Sequence, residues 1–289
     1  ALLFGAALAR QVNIARLEAA GAVLCAKLTM GELAMGDVWF GGKTKNPWDL
    51  KRGSSGSSAG SASAVAAGCL PFAIGTETLG SIVSPSTECG TTGLRPTFGR
   101  VPRTGAMALS WSMDKIGPIC RSVEDCAIVF NTIQGVDGQD FTLMDASFNY
   151  NGTQLSLKGM RIGYVKKDFE SRYPNKSSDS LTLATLQQLG AELVPMELPT
   201  FPARDMTLII GVEGATAFDE MTRSNADDKL VQQWKWNWPN QFRSARFVPA
   251  VEYLQANRLR TQLIQDMDKR LREANVEVYI TPSFSASGN

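Results

Sequence analysis

Two stretches rich in small hydroxyl residues carry the chemical interest of this chain: Gly56-Ser57-Ser58-Ala59-Gly60-Ser61 and Gly75-Thr76-Glu77-Thr78-Leu79-Gly80-Ser81-Ile82. Small residues let backbone amides approach a ligand closely, and successive N–H groups turned inward can hold a developing oxyanion. Two such loops in one core suggest acyl transfer. Phosphate binding is the competing use, but the chain has no G-x-x-x-x-G-K-[ST] run, and neither loop has a lysine at the required place. A serine hydroxyl is a poor nucleophile until a base takes its proton. With no histidine in 289 residues, no Ser-His-Asp triad, imidazole shuttle or histidine-based metal site can be built within the chain. The base must be a lysine, a carboxylate or a group outside this stretch. A lysine in that role must fall from about 10.4 towards about 7–8, the direction in which burial pushes it.

The elements that would position these loops follow from periodicity. Val12, Ala15, Leu17 and Ala19 predict a helix stopped by Gly21, and the apolar run Ala22 to Leu28 predicts a buried strand. The serine run passes directly into Ala62-Ser63-Ala64-Val65-Ala66-Ala67, an apolar helix start, and then into a strand from Leu70 to Ile74, so it reads as packed core rather than linker. Ser122-Val123-Glu124-Asp125 opens a capped helix with Val123, Ala127, Phe130 and Ile133 on its apolar face. Residues 137–159 read as a surface connection. Strand, helix and strand recur over Met160–Val165, Ser180–Leu189 and Ala191–Met196. A long helix over Pro249–Ala274, with Leu263, Ile264, Met267 and Leu271 at helical spacing, precedes a strand over Val276–Ile280. Units of this kind predict an α/β fold with a large mixed sheet covered by helices.

Several blocks together resemble the amidase signature family, which includes fatty-acid amide hydrolases, peptide amidases and the A subunit of the amidotransferase that makes glutaminyl-tRNA. They are Arg16 to Ala22, Asn46-Pro47-Trp48-Asp49, Gly56 to Gly68, Gly75 to Ile82, Cys89 to Thr97, and Asp114-Lys115-Ile116-Gly117-Pro118. The resemblance implies one amidase signature domain over 1–289 and a Ser-Ser-Lys triad. Ser81 takes the nucleophile's place and Ser57, 24 residues earlier, that of the bridging serine, which in the family follows a cis peptide bond. The backbone amides of Thr78, Leu79, Gly80 and Ser81 would line the oxyanion hole. Leu79 stands where the family usually has Gly or a polar residue, and Val83 where it usually has Arg, which bears on substrate more than on chemistry. The family's lysine lies in a V-x-x-K-[DE] strand upstream of the helix ending at Gly21, so it is expected before Ala1. The Val278 to Ser283 block resembles the family's strand into a T-P turn, after which more sheet is expected. Both ends therefore read as cut, and the chain alone is expected to lack its catalytic base.

The expected reaction is hydrolysis of a carboxylic amide to acid and ammonia or amine through a serine acyl-enzyme, with a small-molecule amide as partner. The resemblance implies no metal or organic cofactor. An A subunit of a tRNA-dependent amidotransferase and a non-catalytic amidase fragment are the alternatives. Other lysines have blander readings: Lys27 follows the first strand, Lys166 and Lys167 lie after a much later one, and Lys115 ends an S-x-x-K match that lacks its companion motifs. Glu77 reads as a loop anchor before a base, and Cys89 as core before a nucleophile. Trp234, Trp236 and Trp238 alternate as a half-buried edge or an aromatic substrate wall, the edge being favoured.

A formal charge of +1, from 29 Lys plus Arg against 28 Asp plus Glu, gives no pull towards nucleic acid or an anionic membrane. No apolar run approaches a membrane span. Five cysteines without a C-x-x-C pair read mostly as buried free thiols in a reducing compartment such as the cytoplasm. Sequons at Asn151-Gly152-Thr153 and Asn175-Lys176-Ser177 leave secretion open, chance being the simpler reading. Nothing in the residues sets an oligomeric state, and a homodimer is open.

Overall fold

A computed structural model of the protein describes residues 11–152 and 156–282. Thr153 of the first sequon and Ser283 of the T-P block lie outside the described residues. In chain order, α1 (Val12–Ala19) leads through two short hairpins, within 38–53, to α2 (Ala59–Ala66), β1 (Phe72–Glu77), α3 (Val83–Cys89), β2 (Thr92–Gly93), β3 (Lys115–Cys120) and α4 (Val123–Ile133). Then come β4 (Arg161–Val165), α5 (Lys176–Gln188), β5 (Glu192–Met196), α6 (Leu208–Ala217), α7 (Trp238–Ala245), α8 (Ala250–Ala274) and β6 (Val278–Ile280). The mixture of helices and sheets is the α/β class that periodicity predicts. The described residues form two compact units, 11–150 with 209–248, and 151–152 and 156–208 with 249–282.

In the first unit β3 is the middle strand of an antiparallel sheet in the order β1-β3-β2, with Glu77 opposite Lys115 and Phe72 opposite Cys120. One core joins Leu17 of α1, Ile116 and Cys120 of β3, and Val129, Phe130 and Ile133 of α4. Arg16 donates to the carbonyls of Ile133, Gln134, Gly135 and Val136, which closes the C-terminal end of α4. The other end of that helix is capped as the sequence predicts, the Ser122 hydroxyl accepting from Asp125 N at 3.0 Å. A second core is aromatic: Trp238 and Phe218 stack on Phe242, which is wholly buried.

Two local expectations are corrected. Ala22–Leu28 is not a strand: it carries no ladder, and Val23 and Leu24 are exposed. The outer edge of β1, where a neighbour would pair, is occupied instead by hydroxyls of α2 and the residue before it. Ser61 donates to the Ile74 carbonyl at 2.8 Å, and Ser58 Oγ both accepts from Thr76 N and donates to Thr76 O at 3.0 Å. Residues 22–30 border a mostly apolar cavity of about 450 Å³ along that edge. The tryptophans form no strand edge either. Trp234 and Trp236 are exposed in a turn closed by Asn237 N on the Trp234 carbonyl, and Trp238, followed by Pro239, opens α7.

The second unit holds a parallel sheet ordered β6-β4-β5, built from the strand-helix-strand and helix-strand patterns read from the sequence. Ile162 and Val165 of β4 and Met196 of β5 are buried, while α5 has no buried residue and α8 only Ala256. Leu263, Met267 and Leu271 are half-buried on one face of α8, and Ile264 points away, 64% exposed. No described helix is long and apolar enough to cross a membrane.

Candidate active site

The two serine loops meet in the first unit. Ser58 N donates to the Ser81 carbonyl at 3.0 Å, and the Ser57 carbonyl accepts from Gly31 N at 3.0 Å. Ser57 is wholly buried and Ser81 nearly so. The Gly56–Ser57 peptide bond is cis, the geometry the family resemblance implies at this place. At Gly56 a side chain is impossible, because a Cβ would sit 1.8 Å from the Gly36 carbonyl oxygen. Gly80 has φ +87°, a left-handed conformation that glycine adopts without strain. Ser57 Oγ has no hydrogen-bond partner among the described residues. A buried hydroxyl without a partner costs about 1–3 kcal/mol, so natural cores rarely keep one idle.

Glu77 anchors the glycine loop. Its Oε2 accepts from Ile82 N at 2.9 Å and Val83 N at 3.0 Å, and its Oε1 lies 3.7 Å from Arg95. With both backbone amides on one oxygen, the carboxylate clasps the chain just past Ser81. Asn46 Nδ2 and Trp48 Nε1 donate to the carbonyls of Glu88 and Cys89, which fixes the far end of α3. The N-P-W-D block is therefore a helix clamp. Leu79 and Val83, beside Ser81 in the chain, are 59% and 46% exposed.

Thr78, the first of the four expected oxyanion residues, is held from β3 and the residue before it. Its Oγ1 donates to Asp114 Oδ1 at 2.5 Å, and its carbonyl accepts from Lys115 Nζ at 3.2 Å. Asp114 Oδ2 in turn accepts from Leu109 N and Ser110 N. The buried Glu213 of α6 accepts from the hydroxyls of Ser110 and Ser112 and from Ser112 N, so the 109–114 turn is pinned twice. Sequence reading missed Asp114 and Glu213 as parts of this assembly. The D-K-I-G-P block held the signal for Asp114, whereas Glu213 lies in a bland apolar helix that gives none. A cavity of about 260 Å³ adjoins Thr76, Thr78 and Lys115 and is otherwise bordered mainly by apolar groups such as Met30, Met107 and Phe218.

Of the other candidates, Lys27, Lys166 and Lys167 are exposed. Lys115 is lowered to about 8, by burial first and then by the charge of Arg95. Cys89 is buried, and burial with Glu88 and Asp37 nearby pushes its thiol up to about 11, the opposite of an activated thiolate. Cys120 and Cys126 are buried and Cys25 and Cys69 exposed, all as free thiols. Among the described residues no group of three or more His, Cys, Asp or Glu is gathered as a metal site.

The chain is thus a mixed α/β protein whose two serine-rich loops lie together in one core. The family model described as Amidase matches residues 9–287, and the chain belongs to that family. It is 44% identical over 196 residues to the A subunit of glutamyl-tRNA(Gln) amidotransferase from Roseiflexus castenholzii, a match covering 65% of this chain and 40% of that protein. The corresponding protein of Acinetobacter baumannii matches at 44% over 196 residues, 64% of this chain and 39% of the relative. The structure of peptide amidase from Stenotrophomonas maltophilia superposes with a TM-score of 0.79 at 30% identity, over 93% of this chain and 62% of that one. These matches therefore span under two thirds of each relative's length.

Proposed function

We propose that this chain belongs to an amidase that hydrolyses a carboxylic amide through a serine acyl-enzyme. Ser81 Oγ attacks the amide carbon while its proton passes to Ser57 and on to a base. The negative oxygen of the tetrahedral intermediate is met by the backbone N–H groups of Thr78, Leu79, Gly80 and Ser81. As the carbon–nitrogen bond breaks, Ser57 returns the proton to the leaving amine, and water then releases the acid from Ser81. The base in this reading is the family's lysine, carried by a V-x-x-K-[DE] strand that the 289 residues do not contain, so these residues alone are expected to be inactive. The observation that carries the reading is the wholly buried Ser57 hydroxyl without a partner among the described residues, in a loop bonded to that of Ser81. A donor and acceptor kept free in a core is what a proton relay requires.

The domain is read as one amidase signature domain, and the cytoplasm as its compartment. The test is release of acid from small aliphatic and aryl amides by the protein extended to include that lysine strand, beside the 289-residue chain. Hydrolysis by the extended form that disappears in Ser81→Ala supports the reading, and hydrolysis at the parental rate in that variant overturns it. The curated relatives favour a second reading, an A subunit of a tRNA-dependent amidotransferase. It requires a stable complex with an ammonia-supplying partner and activity that depends on glutamine and tRNA.

A further inference from the structure

We propose that Lys115 is a positioning residue for the oxyanion hole: its ammonium holds the Thr78 carbonyl and polarises the peptide whose other end is the Leu79 N–H. The inference rests on the amidase reading above. Thr78 C=O and Leu79 N–H belong to one planar trans peptide unit whose two polar ends point in opposite directions. A cation at the carbonyl end therefore stands behind the donor rather than in front of it. It cannot compete for the oxyanion, and it fixes the direction in which the N–H points. Hydrogen bonds in series strengthen one another by roughly 10–30% per bond, and a charged donor gives the larger effect.

The framework supports this arrangement on both sides. Glu77, the last residue of β1, lies opposite Lys115, the first residue of β3, so the loop leaves the sheet beside the lysine. The lysine also donates to the Met113 carbonyl. Asp114, one residue earlier, takes the Thr78 hydroxyl at 2.5 Å. Thr78 is thus gripped by side chain and carbonyl at once, which leaves its peptide no rotation. The charged groups facing Lys115 are Arg95, Glu77, Asp114 and Arg103, the arginines opposing its charge and the carboxylates favouring it, with burial the largest influence against it. Its charge therefore changes near pH 8, within a range where protein and reaction can both be followed. No proton is transferred to substrate in this role; the lysine only donates hydrogen bonds.

The test labels threonine carbonyl carbons with ¹³C and leucine nitrogens with ¹⁵N, so that correlation spectra contain only Thr–Leu peptides, among them Thr78–Leu79. Between pH 6.5 and 9.5 the Thr78 carbonyl and the Leu79 amide are expected to shift together with a midpoint near 8. The shift vanishes in Lys115→Met and is replaced in Lys115→Arg by a constant, low-pH-like position, since arginine stays protonated. In the extended protein Lys115→Met is expected to lower kcat about tenfold with KM within about twofold, and Lys115→Arg to restore most of it; the loss is smaller than that of a whole oxyanion donor. A Thr78 carbonyl that stays fixed while pH crosses this range, read on the wild-type chain itself, overturns the inference even if a variant fails to fold. Unchanged kcat in a folded Lys115→Met does the same. Neither result touches the amidase reading if Ser81→Ala still abolishes hydrolysis. Absence of wild-type hydrolysis overturns both, and the carbon titration tells that failure apart from a failure of the lysine alone.

Discussion

The two units of the chain bury different things. The first buries Ser54, Ser57, Ser58, Ser61, Ser81, Ser86 and Ser110 along with Glu77 and Glu213, several of them hydrogen-bonded, while Ser57 Oγ and Ser86 Oγ have no partner among the described residues. The second buries a few aliphatic side chains under a parallel sheet and leaves α5 and most of α8 open. Buried polar groups are costly unless partnered, and each partner fixes a direction. A polar core is thus a way to hold loops in register for chemistry, whereas an aliphatic layer needs only volume and pattern. On the function proposed above, the reaction belongs to the first of these two kinds of core.

The sharpest way to break that contrast is kinetic. Ser81→Ala in the extended protein is expected to cut amide hydrolysis at least about 10³-fold, while Thr261→Ala on the exposed side of α8 leaves it unchanged. Equal losses from both, in steady-state release of acid, would remove the division of labour. Next in size is core stability. Phe242→Ala empties the middle of the aromatic stack and is expected to cost about 3–5 kcal/mol by urea unfolding, against under about 0.5 kcal/mol for Ile264→Ala. Native-state hydrogen exchange reads the same difference without mutation. Amides of β1 and β3 are expected to exchange far more slowly than those of α5, whose helix rests on no buried residue. Slower exchange in α5 would mean that the second unit is the better consolidated of the two.

How much of this was legible in the sequence follows the same line. Helix and strand periodicity located β4, α5, β5, α8 and β6 to within a few residues, because an amphipathic layer writes its geometry into residue spacing. The same rule failed at Ala22–Leu28. An apolar run reports a wish for burial, not a partner, and the partner edge of β1 carries the hydroxyls of Ser58 and Ser61. It failed again at the tryptophans, where alternation over five residues is shared by a turn into a proline-led helix. The serine loops were legible as packed core rather than linker, since the run of small residues passes directly into an apolar helix start. Their supports were not: Glu213 acts across 101 residues of chain on Ser112, and no local pattern encodes such a distance. Glu77 was the exception, because its bonds reach only to Ile82 and Val83.

The smallest expected effect concerns the 137–159 connection, which periodicity reads as a surface link. Asp140 within it pairs with Arg103 at 3.0 Å and also accepts from Thr142. Burial pulls the Asp140 carboxyl up, but the Arg103 guanidinium, the Thr142 hydroxyl and the Thr142 amide outweigh it and hold the group well below the usual carboxylate range. A carboxyl whose folded-state pKa is depressed adds stability that is present above its unfolded value of about 3.9 and is lost as pH falls towards the folded one. Asp140→Asn is therefore expected to cost about 1–2 kcal/mol at pH 7 and progressively less below about pH 4, where the unfolded chain's carboxyl takes up a proton while the folded one stays ionised. Urea midpoints at the two pH values measure it. If the difference between variant and wild type were the same at pH 7 and pH 2.5, the pair would be a neutral contact. The connection would then be the surface link that its sequence suggests, and the boundary between polar, functional core and passive layer would move back towards the serine loops.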